Sequence, residues 1–285
     1  MVRRPNSPPI LRSSKNIWVS ESMPFLDTGA IRLFFMSQGP AEAPAIIFSN
    51  SLGTTHRMWD AVIDQLAAEF RCIRYDTRGH GASDVSAHPY EIADLADDAK
   101  AILDHLDIER VHFAGLSLGG MVGQAFAARH PERTASLTLM ATTAFFPTRE
   151  SWYERAAVIR SEGTQAILPT TLERWFTPGF RAGSSATVKA VADGFAAIDR
   201  TGYAAACEAI GRMDLRPILR DIAAPTTIIA GAEDPATPIA MAEALRDGIP
   251  NAALVTLTPA AHLLAVEQAE RVSTELRRSV ATPFG

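Results

Sequence analysis

The stretch Gly115-Leu116-Ser117-Leu118-Gly119-Gly120 constrains the fold more than any other part of this chain. The apolar run Val111-His112-Phe113-Ala114 leads into it, and residues 121–130 lead out, ending before Pro131. This pattern predicts a strand, a sharp turn and a helix, with Ser117 at the turn. A strand that reverses directly into a helix crowds its own backbone, so a Cβ at the flanking positions would clash. The turn holds the serine oxygen away from the sheet, at a helix N-terminus. Free N–H groups and the helix dipole there favour developing negative charge. The motif is the G-x-S-x-G of a nucleophile elbow; taken by itself it also fits an ordinary glycine-rich turn that happens to hold a serine.

The rest of the chain supplies the setting. Residues 45–49, 71–75, 135–140, 225–230 and 253–257 are short apolar runs bounded by turn residues and read as strands. Residues 25–35 read as two short strands around a turn. Helical periodicity runs over about 58–68, 91–106, 239–246 and 267–280. In the second of these, Asp94, Asp97 and Asp98 read as a solvated face. The alternation predicts an α/β fold: a mostly parallel twisted sheet flanked by helices on both faces, with right-handed crossovers. It stops between about Thr142 and Arg212. There, residues 151–159, 164–176, 186–198 and 201–210 read as helices, broken at Pro169, Pro178-Gly179 and Gly202. The expected organisation is a disordered tail over 1–22, a core over 23–141 and 213–285, and an inserted helical cap over 142–212. Met23 is a candidate translational start, and a genuine but unstructured extension is the alternative.

Composition excludes several classes of function. The net charge of −5 gives no basic field to draw in nucleic acid. Cys72 and Cys207 are far apart in apolar surroundings and read as two buried thiols, not a disulfide framework. No Cys/His spacing suggests a metal, and nothing calls for a cofactor. No run has the length of a membrane-spanning helix, and residues 1–22 lack the continuous apolar segment of a signal peptide. The expectation is a cytoplasmic protein with a small-molecule partner, no nucleic acid and no membrane.

A serine hydroxyl needs a base within hydrogen-bond reach and an acid to orient that base. Seven histidines compete. His88, His105, His112 and His130 lie in a loop, a helix, a strand and a helix end, where structural roles are the simpler reading. His56, His80 and His262 all follow strands, where the carboxyl ends of an open parallel sheet form sites. His262 precedes the last helix and gives the chain order serine, acid, histidine that accompanies a nucleophile elbow. His80 is its main rival, although its Gly-rich loop suits a structural hydrogen bond. For the acid, Asp234 follows the strand ending near Ala230. Glu233 is the alternative, and a turn role before Pro235 is the bland reading of Asp234. An oxyanion hole needs two backbone N–H groups. Leu118 supplies one and Leu52 the other, with Ser51 and Gly53 as close alternatives.

Several further segments resemble one family. They are 49–54 (Ser-Asn-Ser-Leu-Gly-Thr), 75–83 (Tyr-Asp-Thr-Arg-Gly-His-Gly-Ala-Ser), 115–124, Arg174-Trp175-Phe176-Thr177-Pro178, Met213-Asp214-Leu215-Arg216, 230–238 (through Glu-Asp-Pro-Ala-Thr-Pro) and Ala261-His262. Together they are similar to the 3-oxoadipate enol-lactonases, over about residues 23–280. The elbow and the order of the triad mark only the α/β-hydrolase superfamily; the cap segments and the Glu-Asp-Pro-Ala-Thr-Pro run point to the lactonases. The chain departs from the family after His262, where residues 263–269 are looser, and at Ala144-Phe145-Phe146-Pro147, which is more apolar. The resemblance implies a serine hydrolase that opens an enol-lactone, in the simplest case 3-oxoadipate enol-lactone from the breakdown of aromatic compounds. That substrate carries a carboxylate, so a cation or hydrogen-bond donors are expected in the pocket. Arg57, Arg149 and Arg174 are the candidates, each with a solvated surface role as its alternative. Trp152 and Trp175 are candidate pocket walls. A carboxylesterase or another lactonase, and a ligand receptor that turns over slowly, fit the same residues.

Overall fold

The computed structural model describes residues 24–281, so the tail expected over 1–22 lies outside the described residues. Eight strands form one sheet: β1 (Phe25–Asp27), β2 (Arg32–Gln38), β3 (Ala45–Ser49), β4 (Arg71–Tyr75), β5 (Val111–Leu116), β6 (Thr134–Met140), β7 (Thr226–Gly231) and β8 (Ala252–Leu257). Their order across the sheet is β1-β2-β4-β3-β5-β6-β7-β8. β2 runs antiparallel to both β1 and β4, and every other pair is parallel. All five residues of β3 are buried. A strand covered by helices on both faces needs such a continuous apolar run.

The helices are α1 (Asp60–Leu66), α2 (Ile92–His105), α3 (Leu118–Arg129), α4 (Arg149–Glu162), α5 (Leu168–Trp175), α6 (Pro178–Gly183), α7 (Ser185–Ala196), α8 (Arg200–Arg212), α9 (Ile239–Gly248), α10 (Leu264–Glu267) and α11 (Ala269–Ala281). Thus α4 to α8 all fall between β6 and β7. The prolines expected to break this stretch instead begin its helices. Pro169 lies in the first turn of α5, and Pro178 opens α6 behind Thr177, whose hydroxyl accepts from the Phe180 N–H. A helix's first N–H groups have no partner within the helix, so a residue lacking one costs nothing there. Gly202, also expected as a break, lies inside α8. A Cβ on it would sit 2.3 Å from the Gly79 carbonyl oxygen, so its bareness lets α8 rest directly on the loop after β4.

Two contacts close the base of the five-helix segment. Phe145 and Asp214 form an antiparallel bridge, and the Leu215 N–H donates to the Ala144 carbonyl at 2.8 Å. Arg212 at the end of α8 reaches Glu91 and the Tyr90 carbonyl, both at 2.7 Å. At the other end of α8, fully buried Phe195 and Tyr203 pack edge to face, with ring centres 5.6 Å apart.

The acidic face expected on α2 is split. Asp97 is exposed, and Asp94 closes a capping box with Glu91. Asp98 is buried and takes both arms of Arg78, at 2.7 and 2.6 Å. The physical reason is helical spacing: position 98 shares the buried stripe of Leu95, Ala99 and Ile102. Burial pushes the Asp98 carboxyl up, although the Arg78 guanidinium opposes the shift. Cys72 and Cys207 are both buried and unpaired. Among the described residues, no helix is long and apolar enough to cross a membrane.

Candidate active site

Ser117 sits between the end of β5 and the start of α3, with φ 57° and ψ −115°. For an L-residue that left-handed backbone costs roughly 1–2 kcal/mol. The surroundings hold it in place. The Ser117 N–H donates to the Met140 carbonyl at 2.8 Å, and its own carbonyl accepts from the Thr142 hydroxyl at 2.7 Å. The flanking glycines are sterically required: a Cβ on Gly115 would lie 2.1 Å from the Gly119 carbonyl oxygen, and one on Gly119 would lie 2.0 Å from that of Ser49.

Asp234 follows β7 and His262 follows β8. Both side chains are buried. The His262 Nδ1 lies 2.8 Å from Asp234 Oδ2, which also accepts from the Thr237 hydroxyl at 2.6 Å. Asp234 Oδ1 accepts the N–H groups of Ala236 at 2.8 Å and Thr237 at 3.1 Å. The turn role and the partner role therefore coincide in one residue, while Glu233 is exposed. Burial alone would raise the Asp234 pKa; the His262 charge and the bonds from His262 and Thr237 outweigh it and hold the carboxyl below its ordinary value. A carboxylate facing Nδ1 makes that nitrogen the donor, which leaves Nε2 as the acceptor.

The rival histidines are committed elsewhere. His80 is buried; its Nε2 accepts from the Gly53 N–H at 3.0 Å and its Nδ1 faces the Arg78 carbonyl at 3.2 Å. Burial lowers its pKa, against smaller opposing effects of the Arg78 carbonyl, Asp76 and Asp199. It is a neutral strut under the loop after β3. His56 Nδ1 pairs with Asp76 at 2.9 Å.

That strut also sorts the N–H groups near Ser117. Gly53 donates to His80, Ser51 points at the Met58 sulfur at 3.4 Å, and Gly119 donates to the Asn50 carbonyl at 2.9 Å. Leu52 lies between the first two, and Leu118 immediately precedes the third as the first residue of α3.

A cavity of about 650 Å³ brings these parts together. Ser51, Leu52, Ser117, Thr237 and His262 line it, facing Phe146, Trp152, Arg155, Arg174 and Trp175 from the segment between β6 and β7. No aspartate or glutamate is among its lining residues. Trp152 and Trp175 are thus where the sequence reading puts them, and Phe146 belongs to the unusually apolar run. Of the three candidate cations, two fall outside the lining. Arg57 is exposed in the single turn His56–Trp59 and is absent from the lining, and Arg149 reaches the Arg212 carbonyl at 3.2 Å. Arg174 does line the cavity, together with Arg155, which the sequence reading missed. Arg155 lies one helical turn beyond Trp152, so the spacing was the available signal.

A family model described as the alpha/beta hydrolase fold matches residues 44–176. The chain is 40% identical to 3-oxoadipate enol-lactonase 2 of Acinetobacter baylyi, across 84% of this chain and 89% of that protein. It is 36% identical to 3-oxoadipate enol-lactonase 1 of the same organism, across 82% and 87% respectively. The crystal structure of the enol-lactonase from Burkholderia xenovorans superposes with a TM-score of 0.88 at 36% identity, covering 91% of this chain and all of that one (100%).

Proposed function

The chain belongs to the 3-oxoadipate enol-lactonase family of α/β hydrolases, and we propose that it opens 3-oxoadipate enol-lactone to 3-oxoadipate through an acyl-enzyme on Ser117. Ser117 Oγ attacks the lactone carbonyl while His262 Nε2 takes its proton. The N–H groups of Leu52 and Leu118 receive the oxyanion; in hydrolases of this kind, losing one such donor costs about 10²–10³ in rate. The ring C–O bond then breaks. The leaving oxygen departs as an enol protonated by His262 and relaxes to the ketone, which makes this step easier than expelling an alkoxide. Water, losing its proton to His262, attacks the acyl-enzyme, releases the carboxylic acid and returns the proton to Ser117. Asp234 keeps His262 in the tautomer that both half-reactions need. The helices over 142–212 act as a cap that shapes the pocket. We assign the reaction to the breakdown of aromatic compounds in the cytoplasm, a compartment that suits the two unpaired thiols.

The observation that carries this reading is one cavity lined by the elbow serine and by a histidine paired with a buried aspartate, with arginines and no carboxylates in its wall. The test is a substrate panel. We expect kcat/KM for 3-oxoadipate enol-lactone to exceed that for p-nitrophenyl acetate by at least about 10²-fold, a difference of about 2.7 kcal/mol in transition-state binding. A preference for the simple ester would make the protein a carboxylesterase instead.

A further inference from the structure

A histidine on a short loop is only as well placed as the backbone on either side of it. Both neighbours of His262 are buried, and the N–H of each is spent on an anchor. The Leu263 N–H donates to the Trp175 carbonyl at 2.9 Å, and the Ala261 N–H donates to Glu267 Oε2 at 2.9 Å. The other carboxylate oxygen of Glu267, Oε1, accepts from the Thr177 hydroxyl and, at 3.3 Å, from the Thr177 N–H. One anchor is therefore the end of α5 itself. The other is a carboxylate that also holds the residue opening α6.

Glu267 closes α10 and is half-buried. A surface glutamate ordinarily spends its oxygens on water or a cation; this one takes three donors of the protein. Ala261 and Thr177 are buried, so their N–H groups would be left unsatisfied without it, and its charge strengthens each bond. The Thr177 hydroxyl carries the tie further, because it accepts from the Phe180 N–H while donating to Glu267. Trp175, two residues before Thr177, lines the cavity and packs edge to face on fully buried Phe195, with ring centres 5.3 Å apart. The wall that meets an entering molecule and the base that serves Ser117 thus hang on the same two anchors. We propose that Glu267 is a positioning residue for His262: it locks the loop 261–263 to the helical wall, so that Nε2 keeps its place opposite Ser117 only while that wall is seated. Glu267 does not line the cavity, so it acts through His262 and not on the substrate. The inference rests on acyl transfer through Ser117 and His262, not on which lactone is opened.

The experiment compares full-length wild type with Glu267→Gln, Thr177→Val and Thr177→Ser, and with Glu270→Gln, an exposed neighbour, as the control. Glutamine has one acceptor oxygen, so it must leave the N–H of either Ala261 or Thr177 facing an NH₂. Thr177→Val removes the hydroxyl, and Thr177→Ser keeps it. The probe is diethyl p-nitrophenyl phosphate, which carries no carboxylate. Ser117 Oγ attacks its phosphorus while His262 takes the proton, and the P–O bond to p-nitrophenolate breaks. The second-order rate constant is read from p-nitrophenolate release, with thermal unfolding followed alongside. A displacement of about 1 Å at a reacting group can cost about 10²-fold, so Glu267→Gln should slow phosphorylation by about 10- to 100-fold. It should lower kcat for p-nitrophenyl acetate by a similar factor, with KM within about twofold of wild type. Thr177→Val should be slower by at least about threefold, while Thr177→Ser and Glu270→Gln should match wild type. A Glu267→Gln protein that unfolds at a lower temperature yet is phosphorylated within about twofold of the wild-type rate would show a structural anchor only and overturn the inference. If Glu267→Gln does not fold, Thr177→Val decides, and a rate equal to that of Thr177→Ser would overturn the inference. Failure of wild type to open 3-oxoadipate enol-lactone, with phosphorylation still dependent on Glu267, would count against the lactonase reading and not against this role.

Discussion

Replacing Asp234 with asparagine should stop the reaction without disturbing the fold, and the hydrogen bonds around it say why. Oδ1 accepts two backbone N–H groups, from Ala236 and Thr237. An asparagine must keep its carbonyl oxygen there, because turning its NH₂ toward those donors would leave three N–H groups facing one another. The NH₂ is then forced into the position of Oδ2, facing the Thr237 hydroxyl and His262 Nδ1. The hydroxyl can rotate to accept. Nδ1 can accept only if the imidazole carries its proton on Nε2, and that tautomer cannot take the proton of Ser117. The loss expected from a wrong tautomer is about 10⁴-fold in kcat, or roughly 5.5 kcal/mol, a magnitude taken from the equivalent change in a serine protease. KM should change little, since Asp234 does not line the cavity. The assay is steady-state turnover of the enol-lactone, with circular dichroism and thermal unfolding as controls on the fold. The variant should also lose a pH response. The folded Asp234 carboxyl titrates below its ordinary value, so it adds stability above the ordinary carboxylate range and loses it as pH falls through the folded value. Asp234→Asn should remove that part of acid unfolding. A kcat within about tenfold of wild type, with the fold intact, would refute the tautomer argument.

Gly119→Ala puts a methyl group 2.0 Å from the Ser49 carbonyl oxygen, and urea unfolding should show a loss of about 3 kcal/mol or more; a loss below 1 kcal/mol would mean the elbow is looser than described. His112, bonded to Ser136 at 2.8 Å, has its pKa pushed down to about 4, by burial first and the Arg110 charge second. The unfolded chain therefore takes up that proton first as pH falls, so stability should decline from about pH 6.5 toward pH 4, by no more than about 1.4 kcal/mol per pH unit for one group. His112→Asn should flatten that slope, and an unaltered slope would contradict the assignment. Arg57→Ala should leave kcat/KM for the acidic lactone within about twofold of wild type, since Arg57 points away from the cavity; a tenfold loss would return it to the site.

The sequence made the sheet legible because its strands are buried on both faces. The run Ala-Ile-Ile-Phe-Ser over 45–49 is β3 to the residue, and 71–75 is β4. The elbow was legible because its glycines answer a steric demand that no other residue meets. The small scale was harder. Asp98 looked like its acidic neighbours, and only helical spacing distinguishes it as the one that turns inward to Arg78. Pro169 and Pro178 looked like breaks because composition marks a discontinuity without saying whether a helix ends or begins there. Arg155 was missed as a lining residue for a related reason. Periodicity shows that α4 has two faces, but which face meets the cavity depends on how α4 packs against α8, a long-range matter that no local pattern holds. Arg57 was attractive for its place in a loop after a strand, yet the turn His56–Trp59 sends Met58 and Trp59 inward and Arg57 outward.

Turnover of 3-oxoadipate enol-lactone by wild type and by Ser117→Ala, measured side by side with product identification, decides whether Ser117 opens this ring. Wild type should reach a kcat/KM of at least about 10⁴ M⁻¹s⁻¹ and release 3-oxoadipate, and Ser117→Ala should fall by at least about 10⁴-fold while unfolding at a similar temperature. Wild-type ring opening no faster than the spontaneous reaction, or a Ser117→Ala protein that keeps full turnover, would contradict acyl transfer through Ser117.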